Sequence, residues 1–237
     1  MEPRSVVSRE EWLAARQAHL VKEKALDKQR DQLSRDRREL PWVKVEHRYV
    51  FDGPQGQETL ADLFGKHSQL IIYHFMYHPS WENEGCPSCS YLADHFSGML
   101  PHLDHRDVSF AAVSKAMTNQ LEAYKKRMGW AFKWVSSHDN GFNRDYHVSF
   151  TPEELEKGEA YYNYKEGAIF PSVEAPGVSV FCKNTNGDIF HTYSTYARGL
   201  DRLIGTYHFL DMVPKGRDED DLDFSMAWIR RHDEYVD

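Results

Sequence analysis

Two of the chain's three cysteines stand two residues apart, in Cys86-Pro87-Ser88-Cys89, and no other stretch concentrates as much chemistry. A C-x-x-C that opens a helix puts its first sulfur among unpaired backbone N–H groups at the positive end of the helix dipole, which favours thiolate over thiol. The second sulfur, about one turn further on, is near enough to close a disulfide or to resolve a mixed disulfide formed by the first. In this reading Cys86 is the nucleophile, Cys89 resolves, Pro87 and Ser88 shape the helix start, and His74 or His78 accepts a proton from Cys89. The same residues permit two other readings. Cys86, Cys89, His74 and His78 make a soft, low-coordinate donor set suited to copper or zinc. Alternatively, the pair senses redox state in a non-catalytic interaction module. No second C-x-x-C and no H-x-x-x-H pair follows the cysteines, which weighs against structural zinc.

The elements around the motif decide between a redox turn and a chance spacing. Gln69 to Met76 is an apolar run of the kind expected for a strand buried on both faces, and it delivers the chain to the cysteines. Beyond Cys89, Tyr91, Leu92, Phe96 and Leu100 continue a helical pattern to Pro101. Val108–Ser114 reads as a second central strand, 121–128 as a helix stopped by Gly129, and 132–136 as a third strand. Thr151-Pro152-Glu153-Glu154 carries the cap, N1 proline and capping-box glutamate of a short helix. Val178–Cys182 and Ile189–Tyr193 flank Asn186-Gly187, an antiparallel hairpin signal. After the hairpin, Tyr193, Tyr196 and Arg198 could line a substrate cleft, with Arg198 holding a carboxylate. Cys182 reads as inert and packed, or as a third redox thiol if it lies near the pair.

Three divisions follow: an N-terminal helical arm (1–41), an α/β domain (42–214), and an acidic, mobile connector with a C-terminal tail (215–237). Ser8 and Glu11 form a capping box at the head of the arm, and Leu13, Leu20, Leu26, Leu33 and Leu40 make a narrow apolar seam. Such a seam suits a homodimer arm or packing on its own domain. After Pro41, Val43–Val45 and Tyr49–Phe51, with Asp52-Gly53 as a turn, read as an edge hairpin.

A net charge of −8 and a pI near 5.9 argue against nucleic acid as a partner. No segment approaches the length of an apolar membrane span, and the N-terminus lacks the apolar core of a secretory signal, so the expected compartment is the cytoplasm. Three cysteines in a reducing compartment fit a reactive pair better than a disulfide framework. The expected partner is a disulfide-bearing protein or a small thiol substrate, and the redox reading requires no cofactor.

A buried strand, a C-x-x-C at the next helix start, a βα unit, and a proline leading into an antiparallel hairpin resemble the thioredoxin-like fold, a central mixed sheet flanked by helices. Pro176 occupies the place where that fold keeps a cis-proline beside its redox pair. More closely, the chain resembles the bacterial DUF899 family through Glu11-Trp12-Leu13, Leu40-Pro41-Trp42-Val43, Tyr73-His74-Phe75-Met76, Gly85-Cys86-Pro87-Ser88-Cys89, the stretch 122–130, and Tyr193-Ser194-Thr195-Tyr196-Ala197-Arg198-Gly199. The resemblance covers nearly the whole chain and implies a thioredoxin-like thiol-disulfide oxidoreductase. Gly85 departs from thioredoxin, which has a tryptophan before its first cysteine, as do the long N-terminal helix and the insertion. The peroxiredoxin pattern P-x-x-x-T-x-x-C is missing before Cys86, so the resemblance does not imply peroxidase activity at this site.

Overall fold

The computed structural model describes residues 5–82 and 84–236, and the chain divides into two compact units at the Pro41–Trp42 boundary. The first is dominated by helix α1, Arg9–Arg38. Ser8 Oγ accepts from the Glu11 N–H while the Glu11 carboxylate accepts from the Ser8 N–H, so both members of the capping box are in place. No residue of α1 is buried, and Leu13, Leu20, Leu26 and Leu33 are exposed along its length.

The second unit is built on one eight-stranded sheet. Its strands are β1 (Val43–Lys44), β2 (Val50–Gly53), β3 (Gly56–Thr59), β4 (Gln69–His74), β5 (Val108–Ser114), β6 (Lys133–Ser136), β7 (Gly177–Lys183) and β8 (Ile189–Tyr196). Their order is β1-β8-β7-β4-β5-β6-β2-β3. The central strands β4, β5 and β6 run parallel, and β7 and β8 add antiparallel on the other side of β4. Parallel neighbours need crossovers. Helices α3 (Pro87–Ala93) and α4 (Leu100–His105) supply the first, and α5 (Thr118–Arg127) the second, after α2 (Leu60–Leu63) has led into β4. Short helices α6 (Phe142–Asp145) and α7 (Pro152–Lys157) precede β7, and α8 (Gly205–Leu210) follows β8. This is the thioredoxin-like class expected from the sequence.

Strand parity divides the core. Along β4, Leu70 and Ile72 pack with Leu60, Leu63, Phe64 and Phe142 on one face, while Tyr73 joins Cys89, Leu92, Leu121 and Tyr207 on the other. Side chains that differ by one position in β4 therefore belong to different chemical environments.

Three features differ from the sequence reading. Asp52 and Gly53 do not form a turn: they pair with Gln57 and Gly56, the hairpin closes through Pro54 and Gln55, and β1 lies at the opposite edge of the sheet against β8. The Ala175–Pro176 bond is trans, since no cis peptide occurs among the described residues. The chain arrives there already extended: the Ala175 N–H donates to Val148 O at 2.8 Å, and Glu174 is anchored by Ser149 Oγ (2.6 Å) and Asn143 Nδ2 (3.1 Å). Third, residues 215–236 are not a free connector. They belong to the second unit, and Ile229 and Arg231 are buried in it.

Gly177 starts β7 between His74 of β4 and Tyr196 of β8. A Cβ there would lie 2.7 Å from the Tyr196 ring, which cannot swing aside because its hydroxyl donates to Tyr146 O and its ring packs on Tyr162 and Tyr164. Gly177→Ala is expected to destabilise the protein by about 1–3 kcal/mol, read from the midpoint of denaturant unfolding.

Candidate functional site

The cysteines sit where β4 runs out. Phe75 continues the ladder through its N–H to Val113 O (2.9 Å), and the Ala116 N–H donates to Tyr77 O (2.8 Å). A loop then leaves the sheet and returns, so that the Cys86 N–H docks on Met76 O at 3.1 Å. One amide gathers that loop: Gln120 Nε2 donates to the carbonyls of Pro79 (3.2 Å), Trp81 (3.3 Å) and Glu82 (3.1 Å). Cys86 is the N-cap of α3, Pro87 is at N1 where its missing N–H costs no helical bond, and Cys89 lies one turn in.

The two thiols are free and unequal. Cys86 is half-buried and Cys89 buried. The Cys86 thiol is brought down to about 7 by the Cys89 thiol donating to its sulfur, then by the backbone N–H groups of Cys89 and Ser88 and the charge of Arg231, all working against burial. Burial pushes Cys89 well above the ordinary thiol range, and the hydrogen bond to Cys86 adds to this. The Tyr73 hydroxyl, itself held protonated by burial, donates to Cys89 and offsets part of that rise. One thiol is thus prepared to ionise near neutrality while its neighbour keeps its proton, a separation of the kind that assigns different roles to two equivalent groups.

A directional chain of hydrogen bonds holds this turn from behind. Ser90 Oγ donates to Cys86 O (2.9 Å) and so accepts from the Tyr124 hydroxyl (2.9 Å), which in turn accepts from Arg231 Nε (2.8 Å). Arg231 also donates through Nη2 to Gly85 O (2.9 Å) and pairs with Glu84 and Glu234, both at 3.0 Å. Gly85 can carry no side chain here, because a Cβ would lie 2.5 Å from the Phe75 ring and 3.2 Å from Tyr124. The departure from thioredoxin's tryptophan thus follows from aromatic rings that already fill the space.

Cys86 and Cys89 open onto a cleft of about 870 Å³. Tyr73, Met76 and Pro176 share its lining, Ser88 stands at the helix end, and Arg198 and residues 215–221 line it as well. A smaller hollow of about 580 Å³ reaches Cys86 from the side of Trp81, Ser172 and Arg231.

The structure therefore brings together Cys86, Cys89, Ser88, Pro176 and Arg198 from the residues singled out in the sequence, with Pro87 exposed beside them. It does not bring in the histidines. His74 is on the opposite face of β4, stacked on Phe142 and Tyr146, with Nε2 2.8 Å from Ser179 Oγ, and burial lowers its imidazole to about 3. His78 turns to Ser80, 2.7 Å from its Nδ1. The ligand set expected for copper or zinc does not assemble, and among the described residues no group of three His, Cys, Asp or Glu side chains is placed to hold a metal ion. Tyr196 is buried in a separate cluster with Val148, Phe150 and Tyr162, and neither it nor Tyr193 lines the cleft. Arg198 pairs with Asp201 at 3.3 Å, and Cys182 lies away on β7, opposite Gln69. Sequence reasoning missed Tyr73, one position from the chosen His74, and Arg231, which follows the apolar Trp228 and Ile229 in an otherwise acidic tail.

A profile described as "Bacterial protein of unknown function (DUF899)" matches residues 1–235. No curated protein matches the chain. Among solved structures, Xanthomonas campestris peroxiredoxin Q is similar at 17% identity over 66% of this chain and 87% of that one, TM-score 0.43. Peroxidoxin BcpB from Mycobacterium tuberculosis is similar at 11% over 70% and 95%, TM-score 0.44. A Chlorobium tepidum structure assigned as thiol:disulfide interchange protein DsbE is similar at 14% over 70% and 96%, TM-score 0.42. At these values the likenesses carry no statement about activity.

The site geometry sets a pH profile. Alkylation of Cys86 is expected to plateau above pH ~8 and to fall about tenfold per unit below ~7, as the thiolate is protonated. In Arg231→Met the midpoint moves up by about half a unit or more, because a positive charge and the donor to Gly85 O are both lost. Ultraviolet absorbance of the thiolate measures both midpoints, and Arg231→Lys, which keeps the charge, separates the Coulombic contribution from the positional one.

Proposed function

The chain belongs to the DUF899 family, and from that footing we propose that it is a thiol-disulfide oxidoreductase working through the Cys86–Cys89 pair. The observation that carries this reading is the division of labour between the sulfurs: Cys86 is lowered to about 7 at an open helix end, while Cys89 is buried, protonated and hydrogen-bonded to it. Cys86 thiolate attacks a disulfide, forming a mixed disulfide and expelling one substrate thiolate, which takes a proton from solvent. Cys89 then attacks Cys86 Sγ while its proton passes to the departing sulfur, which leaves as the second substrate thiol, and a Cys86–Cys89 disulfide remains. The substrate gains the two electrons the pair loses, and an external dithiol reductant restores the resting state. Tyr73 donates to the Cys89 sulfur as negative charge develops there, and Pro176 lines the cleft in which the substrate disulfide must lie.

The test is a redox titration of the purified protein followed by thiol alkylation and intact mass. A reversible two-electron couple is expected, lost in Cys86→Ser. Cys89→Ser retains attack but stops at the mixed disulfide, visible as an adduct mass. Tyr73→Phe is expected to prolong that adduct about tenfold while leaving Cys86 alkylation unchanged. Absence of any couple in the wild-type protein overturns the reading.

The exposed apolar seam of α1 supports a second proposal, a homodimer formed through that helix. Leu26→Glu combined with Leu33→Glu in the full chain is expected to shift the sedimenting species from dimer to monomer. A wild-type monomer overturns it.

A further inference from the structure

The cleft that the dithiol lines has an unbalanced charge. Asp201, Asp211, Asp218, Glu219, Asp220 and Asp221 line the cleft against Arg198, Lys215 and Arg217. Each of those cations is already engaged by the cleft's own carboxylates: Arg198 with Asp201, Arg217 with Asp201 and Asp211, and Lys215 with Asp218. Glu219 is turned inward, its Oε1 accepting from the Tyr207 hydroxyl (2.8 Å), the Met226 N–H (3.0 Å) and Trp228 Nε1 (2.7 Å). Asp220 and Asp221 are exposed and have no ion-pair partner among the described residues.

We infer that this cleft selects a small disulfide that carries positive charge. The inference rests on the dithiol reading above and adds a substrate class to it. Six carboxylates against three cations leave the cleft negative, and the Cys86 thiolate adds to that charge in the reactive form. A net charge of one sign in a cleft concentrates counter-ions and accelerates their encounter, by about tenfold at the lower end of the range reached by clefts lined by a single sign, an effect that salt removes. An anionic disulfide meets the same field as repulsion, at the atom it must approach. The size of the cleft, about 870 Å³ and walled by residues 215–221, fits a low-molecular-weight disulfide that enters bodily.

The experiment measures oxidation of the reduced full-length protein by three disulfides at low ionic strength: cystamine, a dication; hydroxyethyl disulfide, uncharged; and glutathione disulfide, a net anion. Each rate is divided by that disulfide's rate with free dithiothreitol, which removes differences in leaving-group reactivity. The expected order is cystamine, then hydroxyethyl disulfide, then glutathione disulfide, with the outer two separated by about tenfold or more and converging in high salt. Asp220→Asn combined with Asp221→Asn is expected to narrow the outer ratio about threefold. Equal normalised rates, or a faster anion, overturn the charge selection while leaving the dithiol reading intact. No oxidation by any of the three overturns the dithiol reading itself.

Discussion

The Cys86 sulfur has to remain at the open end of α3, where the Cys89 thiol and two backbone N–H groups can all donate to it. A thiolate in a half-buried position is costly without such donors, and with them it forms near neutrality. Much of the second unit is arranged around that requirement. The parallel pair β4–β5 ends beneath the turn, Met76 O receives the Cys86 N–H, and Gln120 holds the loop that brings the chain back. Phe75 and Tyr124 crowd Gly85 so closely that only a glycine can pass.

The tail supplies a second support that no local rule would assign. Arg231 is a buried cation whose donors are satisfied by the Gly85 carbonyl, the Tyr124 hydroxyl and two carboxylates, which makes its burial tolerable. Its charge reaches Cys86, and its hydrogen bonds reach the Cys86 carbonyl through Tyr124 and Ser90. The neighbouring segment closes the cleft, with Arg217 stacked 3.9 Å over the Tyr207 ring and Glu219 collecting three donors.

What the sequence made legible was local. Cys86-Pro87-Ser88-Cys89 after an apolar run, the capping boxes at Ser8 and Thr151, and the turn at Gly187 (φ +86°) each depend on neighbours a few positions away. The misreadings needed information the chain does not carry locally. His74 and Tyr73 are both plausible partners for a thiol, and only the parity of β4 within the sheet decides that Tyr73 faces Cys89 while His74 faces Phe142. Arg231 and Gly85 are 146 positions apart. The acidic tail looked like solvated chain because composition registers its charges and not the Tyr207, Trp228 and Ile229 contacts that seat it.

The reach of Arg231 also orders events during biosynthesis. A ribosome adds about 5–20 residues each second, so the residues that clamp the turn arrive on the order of ten seconds after Cys86 has been made. Until then the nascent chain lacks the guanidinium beside the sulfur and the hydrogen bond to the preceding carbonyl. The acidity of Cys86 is therefore completed in two stages: the Cys89 thiol and the backbone N–H groups supply the larger part once the turn and α3 form, and the charge of Arg231 adds the last part after residue 231 has been made and has folded back.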